Sequence, residues 1–299
     1  MDRQDFFKIL NKMGFSKEEL TDLTCEPFLS EEDGAEYSVF KLSFLGGTFV
    51  LKKAKGNEIE VYSALPKAAL WAPKLYGTAK YLGEDYILIE YIPGKPLTRL
   101  DRKGLTKTLD AIIDMQEQFY GVVELFSGSL SFEESLKRRK ERGKYLFDTE
   151  LECAYAKYLE RYKHLERTLC HDDLLPFNVI SSENRAVIID WEIAGILPYP
   201  TSLCRLIAHT EEKEDALFYM KDSDRAFAVD YYYEHFISKK GVSREKYTYD
   251  LNLFLFYEYC EWIMLGNKYG NTDTDIFKKY LKLAKSLVKK GLSHLGSTE

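Results

Sequence analysis

The hydrophobic pattern changes period about a third of the way along the chain. Near the start, Phe6, Phe7, Leu10 and Met13 recur at helical spacing and predict a short amphipathic helix over Asp5 to Met13. Strand-like segments follow. Cys25 to Leu29 is a first strand, weakened by Pro27. From Glu36 to Phe44 the chain alternates, with Tyr37, Val39, Lys41 and Ser43 on one face and Phe40, Leu42 and Phe44 on the other. Gly46-Gly47 signals a hairpin, with Thr48 to Lys53 as the return strand. Asn57 to Leu65 reads as a helix with Asn57 as its N-cap. Leu75 to Leu82 and Asp85 to Tyr91 are two further strands across Gly83-Glu84.

Pro93-Gly94 ends this pattern. Beyond it, helical periods cover Arg102 to Leu125, Phe132 to Arg167, Ser223 to Ser238, Arg244 to Leu265 and Asp273 to Leu292, with a strand-rich island at Asn178 to Trp191. No internal repeat is visible. The expectation is an α+β chain of two lobes meeting at a cleft. Residues 1–92 would form a five-stranded antiparallel sheet with one helix, and residues 93–299 a larger helical lobe.

Composition narrows the function. A net charge of -6 argues against a phosphate-backbone interface, so no nucleic-acid partner is expected. Five cysteines, at wide spacings and without a C-x-x-C pair, suggest reduced thiols rather than a disulfide framework or zinc site. The N-terminus lacks the apolar run of a signal peptide, and no segment is long enough for a membrane span. A cytoplasmic protein with no membrane partner is the expectation.

The candidate chemistry lies in Cys170-His171-Asp172-Asp173-Leu174-Leu175-Pro176-Phe177-Asn178 and in Ala186-Val187-Ile188-Ile189-Asp190-Trp191-Glu192. An acid stands five residues before an amide, and a second acid ends an apolar strand twelve residues further on. Phosphoryl transfer from a metal-bound nucleotide needs such a set. One carboxylate orients the acceptor hydroxyl and takes its proton. Mg²⁺ is a hard cation that needs oxygen ligands, which Asn178 and Asp190 supply. The Asp173-to-Asn178 spacing equals that of the kinase catalytic loop.

This pattern, H-x-D, four residues, N, then an apolar strand ending in D-W-E, resembles the aminoglycoside phosphotransferase and choline kinase family. The resemblance runs from about Cys25 to Thr210. It implies a protein-kinase-like fold, ATP or GTP as donor, Mg²⁺ and a small hydroxyl-bearing acceptor. Lys52 takes the position of the lysine that pairs with nucleotide phosphates, and Glu58 resembles its ion-pair partner. Lys53 and Glu60 are the competing choices; strand alternation places Lys52 on the Val50 face, which favours it. Ile87 to Gly94 is similar to the hinge, so the backbone at Glu90 and Ile92 would hold the purine edge.

Four departures stand out. Asp172 adds a second acid to the loop, and the spacing to Asn178 selects Asp173 as the base. No G-x-G-x-x-G occurs around Ser30 to Ser38, where only Gly34 occurs; Ser38 is a candidate nucleotide contact. Ser202 stands near the place where family members often carry an Asp. The segment after Asp190 is short and lacks A-P-E, which favours a small acceptor over a peptide.

For the acceptor, Tyr247 to Trp262 has three acids, seven aromatics and no Lys or Arg. Glu258, Glu261 and Trp262 would share a broad helical face and suit a cationic aminoglycoside or choline-like amine. The plain alternative is an aromatic core stripe with a solvated acidic face. Two rival functions remain. An HD-type phosphohydrolase would need an all-helical scaffold, and a non-catalytic kinase-like regulator would lack one of the base, the metal acid or the phosphate lysine.

Overall fold

The computed structural model describes residues 1–29 and 36–291. The chain divides into two compact units. One is Met1–Lys95 together with Ile180–Ile193; the other is Pro96–Val179 together with Ala194–Glu299. The expected cut after residue 92 would have left the Asp190 segment with the helical part. The structure instead assigns it to the first unit, because the strand leading to Asp190 packs there.

The first unit begins with α1 (Arg3–Lys12), whose N-terminus is closed by a capping box between Asp2 and Asp5. Strands β1 (Thr24–Leu29), β2 (Glu36–Phe44) and β3 (Gly47–Lys53) precede α2 (Glu58–Ala64), and β4 (Leu75–Tyr81) and β5 (Glu84–Glu90) follow it. They form one five-stranded sheet in the order β1-β2-β3-β5-β4, with every neighbouring pair antiparallel. Pro27 is tolerated because β1 is an edge strand, and the register shifts just after it. Phe6, Ile9 and Leu10 of α1 bury against Leu42, Phe44, Leu51 and Leu88 of the sheet. The period-3.6 face of the helix thus meets the period-2 face of the strands.

Both hairpin turns sit one residue earlier than expected. Leu45 and Gly46 both have positive φ, as do Leu82 and Gly83. A two-residue type I′ loop requires that at both central positions, so the second residue of each loop is the glycine. The expected Gly46-Gly47 signal marks the right hairpin, but Gly47 already belongs to β3.

The second unit carries the helices. After two-residue strands β6 (Lys95–Pro96) and β7 (Arg99–Leu100) come α3 (Arg102–Phe119), α4 (Phe132–Gly143) and α5 (Thr149–His164). Phe132 to Arg167 is therefore two helices, not one. The break lies where Phe147 takes a positive φ and Asp148 accepts a hydrogen bond from the Leu151 N–H at 3.1 Å, starting a new helix. Apolar spacing continues across the break, so periodicity alone does not reveal it.

Next along the chain are β8 (Arg167–Cys170), β9 (Val179–Ser181), β10 (Ala186–Ile188) and β11 (Gly195–Pro198), of which residues 180–193 belong to the first unit. Strands β8 and β11 pair antiparallel and flank the candidate catalytic loop. Then follow α6 (Pro200–Ala208), β12 (Tyr219–Met220), α7 (Asp222–Tyr232), α8 (Arg244–Tyr269) and α9 (Asp275–Gly291). In α6 every residue except Arg205 is buried. Among the described residues no helix is long and apolar enough to cross a membrane.

Candidate active site

In the first unit, β3 places Lys52 opposite Val39 and Ile87. Its Nζ lies 2.8 Å from Glu58 Oε1 and 3.0 Å from Asp190 Oδ1. The competing residues have other partners or none of this burial. Lys53 pairs with Glu84 at 2.7 Å in a solvated position, and Glu60 is exposed whereas Glu58 is buried. Strand alternation separates the lysines, and the first turn of α2 separates the acids. Asn57 occupies the N-cap of α2 without a capping bond from its side chain.

Two carboxylates share one ammonium here. Burial alone would lower Lys52, but Glu58 and Asp190 together hold it above the ordinary lysine range. Burial pushes the Glu58 carboxyl up, with Lys52 opposing. The excess negative charge suits a divalent cation at Asp190, since a partly desolvated carboxylate is favourable only when compensated.

Asp190 has φ 64, a left-handed conformation that is uncommon for Asp. The surrounding packing holds it there. The Ile188 N–H donates to the Trp71 carbonyl at 2.8 Å, and Trp191 Nε1 donates to the Ile188 carbonyl at 2.8 Å. The buried Trp191 ring packs 5.4 Å from Trp71. A strained backbone at a charged residue, over-determined by two tryptophans, is the usual mark of a functional position.

The hinge segment has one constraint that the sequence did not show. The Glu90 N–H already donates to the Lys74 carbonyl at 2.8 Å, so it is not free for another acceptor. The Glu90 side chain pairs with Arg185 at 2.6 Å. Ile92 is buried, and its N–H makes no hydrogen bond among the described residues. Gly94 is required by close approach: a Cβ there would come within 2.9 Å of both Ile180 Cγ2 and the Ser181 carbonyl oxygen. Ser38 falls in β2, but its side chain lies outside the described residues.

In the second unit, the loop after β8 carries the acids. The two adjacent carboxylates have separate partners. Asp172 binds Arg139 at 2.6 Å, and that guanidinium is almost fully buried. Arg139 also donates to Tyr158 Oη at 3.0 Å and lies over the rings of Tyr162 and Tyr257. Asp172 is thus the counter-ion of a core arginine. Asp173 is more exposed, at 32% of its side chain, and binds Arg205.

Asn178 Nδ2 donates to the Asp173 carbonyl at 2.7 Å. This bond orients the amide oxygen as the acceptor end, the atom a hard cation would take. His171 is fully buried, and its backbone N–H donates to Ser202 Oγ at 3.0 Å. Ser202 therefore holds the loop from α6. Cys170, next to the loop, is buried, and burial pushes its thiol up to about 12; it packs rather than reacts.

The acids of α8 are not left without a cation, as the sequence had suggested. Arg205 Nη1 lies 2.9 Å from both Glu258 Oε2 and Glu261 Oε2. Arg142 also pairs with Glu261, and Arg161 pairs with Asp250. The lack of Lys and Arg within Tyr247 to Trp262 is real, but α4, α5 and α6 supply the charge. Burial would raise Glu261, yet Arg205 and Arg142 hold its carboxyl below the usual range. Glu258 and Glu261 do reach Asp173, but through Arg205. Trp262 is 38% exposed and stacks on Tyr280 with centroids 5.6 Å apart.

Arg205 and Arg139 are the residues that sequence reasoning missed. For Arg205 a signal exists: it is the single charge in the otherwise apolar run Pro200 to Ala208. Arg139 carries no such signal, because it lies among five other basic residues between Lys137 and Lys144.

Comparison with known proteins places the family and the fold. Residues 31–222 match the phosphotransferase enzyme family. A search of curated proteins finds no match. Among solved structures, the aminoglycoside phosphotransferase of Alicyclobacillus acidocaldarius superposes with a TM-score of 0.61 at 11% identity, covering 99% of this chain and 95% of that one. The choline kinase of Cryptosporidium parvum gives 0.57 at 15% identity, covering 94% of each chain. Amicoumacin kinase hAmiN, in complex with AMP-PNP, Ca²⁺ and Ami, gives 0.52 at 13% identity, covering 97% and 94%. At these identities the likeness establishes the fold, which is protein-kinase-like. The family match spans well over half of the sequence and includes the lysine, the loop acids and the strand-end acid, and on that ground the chain belongs to the phosphotransferase enzyme family.

Proposed function

We propose that this phosphotransferase is a small-molecule kinase that moves the γ-phosphoryl group of ATP or GTP, with Mg²⁺, to a hydroxyl of a small acceptor. The observation that carries the reading is Lys52, held 2.8 Å from buried Glu58 and 3.0 Å from Asp190. A lysine fixed by an acid on the next helix, beside a strand-end carboxylate, is what phosphate binding beside a divalent cation requires. The AMP-PNP and Ca²⁺ bound to the amicoumacin kinase support a nucleotide and a divalent cation for this fold.

In this reading Lys52 holds the α- and β-phosphates, and Glu58 keeps it extended. Glu90, through its carbonyl, and Ile92, through its N–H, take the purine edge, and Ser38 contributes near the phosphates. Asp190 and Asn178 would hold Mg²⁺ through oxygen atoms, and the ion would supply charge neutralisation for the phosphate oxygens there. Asp173 receives the acceptor hydroxyl and accepts its proton as the oxygen bonds to the γ-phosphorus. The bond from that phosphorus to the β,γ-bridging oxygen breaks, and the nucleoside diphosphate leaves.

The acceptor is proposed to carry a cationic group. Around Arg205, three carboxylates (Asp173, Glu258, Glu261) meet two guanidiniums (Arg205, Arg142), which leaves one negative charge over. Trp262 offers an exposed aromatic face, worth about 0.5–2 kcal/mol to an ammonium group. A cytoplasmic setting belongs to the proposal, since nucleotide and Mg²⁺ are available there.

A nucleotide-consumption screen tests it, with Mg²⁺ and aminoglycosides, choline, ethanolamine, homoserine and small sugars as acceptors. Acceptor-dependent release of nucleoside diphosphate is expected for an amine-bearing alcohol. Tight nucleotide binding without turnover on any acceptor would favour a non-catalytic regulator instead. Phosphate release with no phosphorylated acceptor would favour a hydrolase.

A further inference from the structure

Helix α6 touches the catalytic loop twice from one face. Ser202 and Arg205 are three residues apart, so they project from the same side of the helix. Ser202 Oγ accepts the His171 N–H at 3.0 Å. Arg205 reaches Asp173 two residues further along the loop, and it does so unevenly. Nη2 lies 2.7 Å and Nε 3.1 Å from the same oxygen, Oδ1. The ordinary fork-to-fork arrangement would engage both carboxylate oxygens. Here Oδ2 receives none of the Arg205 donors.

Arg205 is itself immobilised from behind. Its remaining terminal nitrogen, Nη1, is shared between Glu258 and Glu261 at 2.9 Å each. His209 Nε2 stands 3.3 Å from Nη1, and its Nδ1 is 2.7 Å from Tyr280 Oη. Glu258 is nearly buried, with 3% of its side chain exposed. A guanidinium with its donors divided between two fixed anions on one side and one oxygen on the other has little freedom to rotate. The carboxylate it grips, by contrast, is on a loop and 32% exposed.

We propose that Arg205 is a positioning residue for phosphoryl transfer. It pins Oδ1 of Asp173 so that Oδ2 is the oxygen presented to the acceptor hydroxyl, and Glu258 and Glu261 serve to hold Arg205. This rests on the reading of Asp173 as the base. A group that fixes the angle of a general base acts on turnover rather than on nucleotide affinity, and misplacement by about 1 Å costs on the order of 10²-fold.

The test uses the full-length protein with Arg205→Ala, Arg205→Lys and Asp173→Asn, each assayed with Mg-ATP and the best acceptor from the screen. Folding is checked by thermal melting and by nucleotide affinity. Arg205→Ala is expected to lose roughly 10²-fold in kcat, with the nucleotide KM changed by less than about 2-fold. Arg205→Lys, which keeps charge but not the fork, should recover part of the loss. Millimolar guanidinium chloride should restore turnover to Arg205→Ala, whereas equal sodium chloride should not. An Arg205→Ala enzyme with wild-type kcat beside an inactive Asp173→Asn overturns the positioning role alone. Wild-type turnover in Asp173→Asn overturns the assignment of the base, and the inference with it. A turnover loss in Arg205→Ala that tracks a lowered melting temperature and is not restored by guanidinium shows a purely structural arginine.

Discussion

The two charged clusters are built on opposite plans. At Lys52, one cation sits between two carboxylates, Glu58 and Asp190. At Arg205, one cation sits among three, Asp173, Glu258 and Glu261. Lysine is a compact charge with rotatable donors and can be drawn from one anion to another. Arginine is a rigid fork whose geometry fixes what it touches. The first cluster is therefore suited to exchange a protein carboxylate for phosphate oxygens. The second is suited to hold one carboxylate at one angle. The lesson is that acid-rich sequence near a site does not by itself mean a cation-binding pocket; the cation can be internal.

The contrast between the adjacent loop acids gives the largest expected effect. Asp172→Ala removes the partner of buried Arg139, and breaking a buried pair on one side costs about 3–5 kcal/mol. Denaturant unfolding should show that loss. A variant as stable as wild type would show that Arg139 is compensated by Ser135 and its tyrosine neighbours.

The lysine pair comes next. Lys52→Ala should lower kcat/KM for nucleotide by roughly 10²-fold, as removal of one preorganised charge at a transferring group commonly does. Lys53 is in an exposed pair with Glu84, worth about 0–1 kcal/mol, so Lys53→Ala should leave turnover unchanged. Equal losses from both would break the strand-face assignment.

Ser202→Ala leaves the buried His171 N–H without its acceptor, a cost of about 1–3 kcal/mol. Thermal melting checks it, and an unchanged melting point would show that the Ser202 contact does not support the loop.

The smallest effect is on acid stability. Against burial, Arg205 and Arg142 hold the Glu261 carboxyl below the usual carboxylate range in the folded protein. Its depressed value stabilises the fold above the unfolded carboxyl range, and that contribution is lost as pH falls through the folded value. Removing Arg205 shrinks the depression, so in Arg205→Ala this acid-dependent loss should be smaller and complete at a higher pH than in wild type. Coincident acid-unfolding curves would show that Arg142 alone keeps Glu261 ionised.

What was legible in the sequence follows the range of the interactions. The strands are seven to nine residues long and bounded by turn residues, so β2 to β5 could be read locally, whereas their order in the sheet could not. The turn residues slipped by one, because positive φ at Leu45 and Leu82 is imposed by hairpin geometry and not by residue type. The break before Asp148 was hidden because both helices keep the same apolar period. Asp173, Asn178 and Asp190 stood out by spacing, and Lys52 by its resemblance to the family's phosphate lysine and its strand face. Their partners did not: Arg205 reaches Glu258 across 53 residues and Arg139 reaches Asp172 across 33, distances at which sequence pattern carries no pairing information.

The central claim is that Asp173, and not Asp172, accepts the proton of an acceptor hydroxyl. Its most direct test is transfer of labelled γ-phosphoryl from Mg-ATP to the acceptor, comparing wild type, Asp173→Asn and Asp172→Asn at saturating nucleotide. The account predicts that Asp173→Asn loses two or more orders of magnitude in turnover while nucleotide affinity survives, and that Asp172→Asn keeps most of its turnover per folded molecule. Near-normal transfer by Asp173→Asn, with Asp172→Asn inactive though folded, would contradict it.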